Sequence, residues 1–142
     1  MFGSPDGLWF DARGILWIET DISTSMLNKG DYVHIGNNQM LAADPATGEI
    51  RRFLTGPNGC EITGVVTTPD GTSMFSNIQH PGEIASERSD PSKPTAVSAR
   101  PDGPGRPRSA TVVIRKADGR IIGTSSPPVP SDGHVCIAMI RV

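Results

Sequence analysis

Ser4-Pro5-Asp6-Gly7-Leu8-Trp9-Phe10-Asp11-Ala12-Arg13-Gly14-Ile15-Leu16-Trp17-Ile18-Glu19-Thr20-Asp21 decides the fold. The segment opens on an Asp-Gly pair, runs apolar, turns at Asp11-Ala12-Arg13-Gly14 and runs apolar again. Its flanks are β-branched and aromatic, which suits strands, and its turn supplies Asp for the bend and Gly for a positive φ. The spacing predicts a β-hairpin with a carboxylate, Asp6, at its head.

The same grammar recurs, and a recurring unit has to be recognised before a fold is assigned. Met40-Leu41-Ala42-Ala43 turns at Asp44-Pro45-Ala46-Thr47-Gly48 into Glu49-Ile50-Arg51-Arg52-Phe53-Leu54. Ile62 to Thr68 turns at Pro69-Asp70-Gly71 into Ser73-Met74-Phe75-Ser76-Asn77-Ile78. Thr111 to Arg115 turns at Ala117-Asp118-Gly119 into Arg120-Ile121-Ile122. Hairpins one and three have hydrophobic faces, whereas two and four are more polar, with Arg51, Arg52, Arg115 and Lys116 expected to face water. The alternation predicts inner and outer hairpins in turn, an all-β fold of about two four-stranded β-propeller blades. Residues 4–82 are expected to form the first blade and the inner hairpin of the next. Residues 83–108, with five prolines, are expected to be a Pro/Ser-rich loop or insertion. Residues 109–123 are assigned to the outer hairpin of the last blade and 124–142 to an irregular tail. His134 to Val142 is apolar enough for one more strand. A closed ring takes roughly four to eight blades, so further blades or self-association are implied.

Composition agrees with short strands and tight turns. The 142 residues include 16 Gly and 13 Pro, and 36% are apolar. A net charge of −2 gives no electrostatic case for nucleic acid or an anionic membrane. No apolar run has the length of a membrane-spanning helix. Two cysteines, Cys60 and Cys136, set no disulfide framework. Met1-Phe2-Gly3-Ser4-Pro5 has no basic region followed by an apolar one, so no signal peptide is visible. The expectation is a cytoplasmic protein or a chain that starts downstream of the true beginning.

Four residues stand out as metal-ligand candidates. Asp6 precedes an innermost strand, where ligands meet the propeller channel, although Pro-Asp-Gly is also an ordinary turn. Glu61 holds the equivalent place in the next blade, in Gly56-Pro57-Asn58-Gly59-Cys60-Glu61-Ile62-Thr63-Gly64. A carboxylate at that apolar strand start is costly unless paired or bound to metal. Together they suit a hard cation such as calcium, which takes about six to eight oxygen ligands. Asn38, in Asn37-Asn38-Gln39, offers an amide oxygen or an ordinary loop. Asp21 ends the first hairpin, either supporting the site or simply solvated. Asp11, Asp44, Asp70 and Asp118 are assigned to turns. Cys60 is a soft ligand or a buried apolar cysteine. His34, His80 and His134 show no metal-ligand spacing, and His80 fits a loop histidine. Neither a Gly-x-Ser-x-Gly nor a P-loop occurs.

Five phrases occur in order: Ser-Pro-Asp-Gly-Leu-Trp-Phe-Asp, Gly-Asn-Asn-Gln-Met, Gly-Pro-Asn-Gly-Cys-Glu-Ile-Thr-Gly, Asn-Ile-Gln-His-Pro-Gly-Glu, and Ser-Ala-Thr-Val-Val-Ile-Arg-Lys-Ala-Asp-Gly-Arg-Ile-Ile-Gly. From Ser4 to about Gly123 the series resembles the C-terminal blades of PhoX-type bacterial alkaline phosphatases. The resemblance implies a six-bladed propeller exported to the periplasm or beyond. It also implies hydrolysis of phosphomonoesters at a calcium and iron cluster in the channel. Carried onto this chain, Asp6 and Glu61 match acidic positions expected to touch that cluster, with Asn38 and Asp21 as weaker matches. The remaining ligands and arginines are expected on earlier blades, which leaves the isolated chain inactive. Two other readings stand beside it. One is a gluconolactonase-like, metal-dependent sugar-lactone hydrolase; the other is a non-catalytic propeller fragment or interaction module.

Overall fold

The computed structural model describes residues 2–57, 59–83, 108–124 and 135–140. In chain order the strands are β1 (Pro5–Phe10), β2 (Leu16–Thr20), β3 (Gln39–Asp44), β4 (Glu49–Thr55), β5 (Glu61–Thr67), β6 (Ser73–Gln79), β7 (Ala110–Lys116) and β8 (Val135–Ile140). A single 3-10 turn, Gly30–Tyr32, lies between β2 and β3. The strands form two four-stranded sheets, β1-β2-β3-β4 and β5-β6-β7-β8, antiparallel throughout. Each is a meander in chain order, the arrangement of a propeller blade.

Local chemistry sets the hairpins. Asp11 Oδ1 accepts the amides of Arg13 at 2.9 Å and Ile15 at 3.1 Å, which closes the β1–β2 turn. Asp44 receives the Ala46 amide, Asp70 that of Thr72 and Asp118 that of Arg120, so all four aspartates serve turns. Gly14 completes the first turn with φ 82°, a conformation costly for residues with a Cβ.

Side-chain alternation then divides each sheet into two faces. Trp9 pairs with Trp17 and Trp17 with Ala42, so these share the face turned toward the second blade. There Trp17 and Met40 pack with Ile62, Met74, Val112, Ile114 and Ile122 in one buried cluster. The Trp17 ring meets Phe53 edge-on, with centroids 4.9 Å apart. Its Nε1 donates to Asp11 Oδ2 at 3.3 Å, tying the core to the first turn. On the opposite face, Leu8 pairs with Ile18 and Phe10 with Leu16. Leu8 is 63% exposed and Phe10 58%.

The fourth hairpin differs from expectation. Arg120-Ile121-Ile122 does not return as a strand; β7 pairs instead with β8, from Thr111↔Ile140 to Lys116↔Val135. Asp118 captures the Arg120 amide at 3.0 Å and bends the chain off the sheet. Ile122 then plugs the core, its amide donating to the Gly71 carbonyl and its own carbonyl accepting from Arg13 at 2.7 Å. Most of the predicted loop over 83–108 and of the tail over 124–142 lies outside the described residues.

Candidate functional site

Register gathers the candidate residues at one edge of the two sheets. Pro5 lies opposite Thr20 and Glu61 opposite Gln79, so the starts of β1 and β5 meet the ends of β2 and β6. Asp6, Asp21, Glu61 and His80 therefore come from four strand ends on the same side of the molecule. β1 and β2 both pack against β5, which brings the two inner strands side by side. Each inner strand is irregular near this end: β1 shifts register between Pro5 and Leu8, and β5 between Thr63 and Val66. Asp6 sits within β1, inside its irregular stretch, rather than ahead of the strand.

A cleft of about 240 Å³ opens here, with Asp21, Asn38, Cys60, Glu61, His80 and Glu83 in its walls. Burial raises the Glu61 pKa, and the negative charges of Asp21, Asp6 and Glu83 push the same way, against a partial opposing pull from His80. Asp6 is not part of the cleft wall, but its charge reaches Glu61. Carboxylates crowded in this way repel one another until a proton or a cation joins them.

Asn38 has a different task from the ligand role expected of it. Its side chain is buried, and its Oδ1 accepts from the Ile22 amide at 2.6 Å and from Thr20 Oγ1 at 3.2 Å. Its Nδ2 donates to the carbonyls of Cys60 at 2.9 Å and Ile22 at 3.3 Å. Both acceptor positions of the oxygen are thus occupied by protein donors, and Asn38 is a clasp between the β2–β3 loop and the start of β5. Asn37 acts likewise on the preceding loop: its Oδ1 accepts the Gly59 amide, and its Nδ2 donates to the Gly56 and Pro57 carbonyls.

Cys60 is sealed beneath Glu61. Burial drives its thiol pKa up to about 12, despite a contact from Asn37 Nδ2 at 3.4 Å. Sequence reasoning passed over Glu19. It lies on the Trp17 face of β2 and is only 2% exposed. Burial raises its pKa, hydrogen bonds from Ser76 and the Gly64 amide oppose that rise, and the charges of Asp6 and Glu61 reinforce it. The available signal was the alternation itself, which places residue 19 on the same inward face as Trp17.

Among the described residues, no three His, Cys, Asp or Glu side chains come together closely enough to hold a metal ion unaided. The donor set at the cleft is nonetheless one of hard carboxylate oxygens, which fits calcium rather than a soft metal.

The sequence profile of the family described as alkaline phosphatase PhoX matches residues 1–82. The chain belongs to the PhoX family. That match spans the first blade and the β5–β6 hairpin, and it contains Asp6, Asp21, Asn38 and Glu61. Among solved structures, the chain is similar to Pseudomonas fluorescens PhoX in complex with vanadate, a transition state analogue. Identity is 51% and the TM-score 0.69, over 87% of this chain and 19% of that one. No curated protein matches the chain. The chain therefore spans about a fifth of the length of the PhoX structure it matches. The family match goes to the phosphatase and not to the lactone-hydrolase reading.

Proposed function

We propose that this chain is a section of a metal-dependent phosphatase acting on phosphate monoesters, to which it contributes carboxylates at the channel end of two neighbouring blades. The observation that carries the reading is Glu61, at the start of an inner strand and crowded by Asp21 and Asp6 within a PhoX-family chain. Support for a phosphate substrate comes from the matched PhoX structure, whose vanadate is described as a transition state analogue.

In this reading Asp21 and Glu61 would supply part of a calcium site, with Asp6 adding negative charge beside it. The remaining oxygen ligands would come from outside these side chains, and Asn38 is left out because its oxygen is already occupied. Bound calcium would neutralise phosphate charge and stabilise an in-line transition state. The chain's own residues do the rest of the local work. The Asn38 clasp fixes the backbone of Cys60 and so the base of Glu61. Asn37 holds the glycine-rich loop that forms the floor of the cleft. Two blades do not close a ring, so the iron ligands and phosphate-binding cations would come from further blades or a second copy. The isolated chain is then inactive, and the family resemblance argues for a periplasmic or extracellular setting.

Calorimetric titration of the 142-residue chain with calcium, beside p-nitrophenyl phosphate turnover, tests this. Calcium should bind, Glu61→Gln should weaken it about tenfold or more, and turnover should be absent. No calcium binding would overturn the metal assignment. Calcium-dependent turnover lost in Glu61→Gln would overturn the view that the centre is incomplete.

A further inference from the structure

Glu19 is a carboxylate buried between two blades, and among the described residues no Lys, Arg or His forms an ion pair with it. Such a group is expensive to bury unless its oxygens are hydrogen-bonded. Its bonds cross the blade junction. Ser76 Oγ of β6 donates to Oε1 at 3.3 Å, and the Gly64 amide of β5 faces the same carboxylate and opposes the rise in its pKa. Its other oxygen lies against β1, where a Cβ at Gly7 would fall 2.5 Å from Oε2.

Gly7 and Gly64 are not arbitrary neighbours. Gly7 lies in the irregular stretch of β1 between Pro5 and Leu8, next to Asp6. Gly64 lies in that of β5 between Thr63 and Val66, three residues after Glu61. One buried side chain therefore touches both inner strands where each leaves regular pairing, immediately behind the two carboxylates that head them. We propose that Glu19 is a positioning residue: by clasping the irregular stretches of β1 and β5, it sets the separation of Asp6 and Glu61 across the blade junction. The inference rests on the calcium reading above. It assigns Glu19 no contact with metal or substrate. The role is that of a hydrogen-bond acceptor of a particular length, which glutamine can also fill.

The test combines a distance with an affinity. Spin labels at Leu8→Cys and Val66→Cys, both exposed and on the two inner strands, report strand separation by double electron–electron resonance in a Cys136→Ser background. Calcium affinity is measured by calorimetry on the same full-length chain without labels. Glu19→Ala should broaden the distance distribution and weaken calcium binding about tenfold or more, with far-ultraviolet circular dichroism still that of sheet. Glu19→Gln should restore the narrow distribution and most of the affinity. A broadened distribution with unchanged affinity overturns the proposal, as does a distribution unchanged in Glu19→Ala. Loss of affinity in Glu19→Gln with a narrow distribution would make Glu19 itself a ligand and also overturn it. Should Glu19→Ala fail to fold, Ser76→Ala decides, since it removes one donor and keeps the carboxylate. A smaller change in the same direction in both measurements supports the clasp, and no change in either refutes it. Absence of calcium binding in the unsubstituted chain is a separate outcome: it removes the calcium reading, and the positioning role falls with it.

Discussion

Asp11 shows how much one turn carboxylate can organise. It receives the amides of Arg13 and Ile15, the Arg13 guanidinium at 2.5 Å and the Trp17 indole, while Arg13 reaches on to the Ile122 carbonyl. Burial pushes its pKa up, but the bonds from Arg13, Ile15 and Trp17 outweigh that and leave it below the ordinary 3.8. A carboxylate with a depressed folded-state value stabilises the fold at pH above its unfolded value. That stability is lost as pH falls through the folded one. Asp11→Ala should therefore cost roughly 2 kcal/mol at neutral pH in urea unfolding. Asp11→Asn should flatten the acid limb of a stability–pH curve below about pH 4. An acid limb unchanged in Asp11→Asn would show that the bonds to Arg13 do not govern it. Asp11 was legible as a turn residue because its amide partners lie within four positions. Its link through Arg13 to Ile122 was not, because that depends on a segment 109 residues away.

The same division between local and distant information runs through the elements. The hairpins β1–β2, β3–β4 and β5–β6 were readable because their turns carry Asp and Gly at the bend and their strands alternate. The partner of β7 was not, because turn chemistry at Asp118-Gly119 predicts that the chain turns but not that it pairs afterwards. Asn38's role as a clasp was not legible for a related reason: an exposed amide and a buried clasp look alike in sequence, and only the Ile22 and Thr20 donors tell them apart. Glu19 could have been found by face, yet its partner Ser76 lies on the other blade. The clasp role has a clear consequence for the β2–β3 loop. Asn38→Ala leaves the buried Ile22 amide and Cys60 carbonyl without their partner, a loss of about 2–3 kcal/mol. Native-state hydrogen exchange should show the Ile22 amide deprotected well before those of β5 and β6. Uniform deprotection across both sheets would instead make the loop part of the same cooperative unit.

At the scale of the molecule, the two blades share one core but leave apolar surface outward. Leu8 and Phe10 form part of an exposed patch on the first blade's far face, with Ile50 also exposed on it. Contiguous exposed apolar residues are where self-association would be sought. Leu8→Glu combined with Phe10→Glu should lower light scattering in concentrated solution while changing unfolding free energy by less than about 0.5 kcal/mol per site. A large loss of stability would mean that the patch is packed within the monomer. The opposite face, where the blades meet, holds Cys60 out of reach of solvent, with its thiol pKa at about 12. Its Sγ is covered by Gly56 and by Asn37 Nδ2, so reaction with iodoacetamide requires that loop to lift, and the labelling half-time of the Cys60 peptide becomes a clock for local opening at the start of β5. Read residue by residue in mass spectrometry, that clock ticks without any engineered probe.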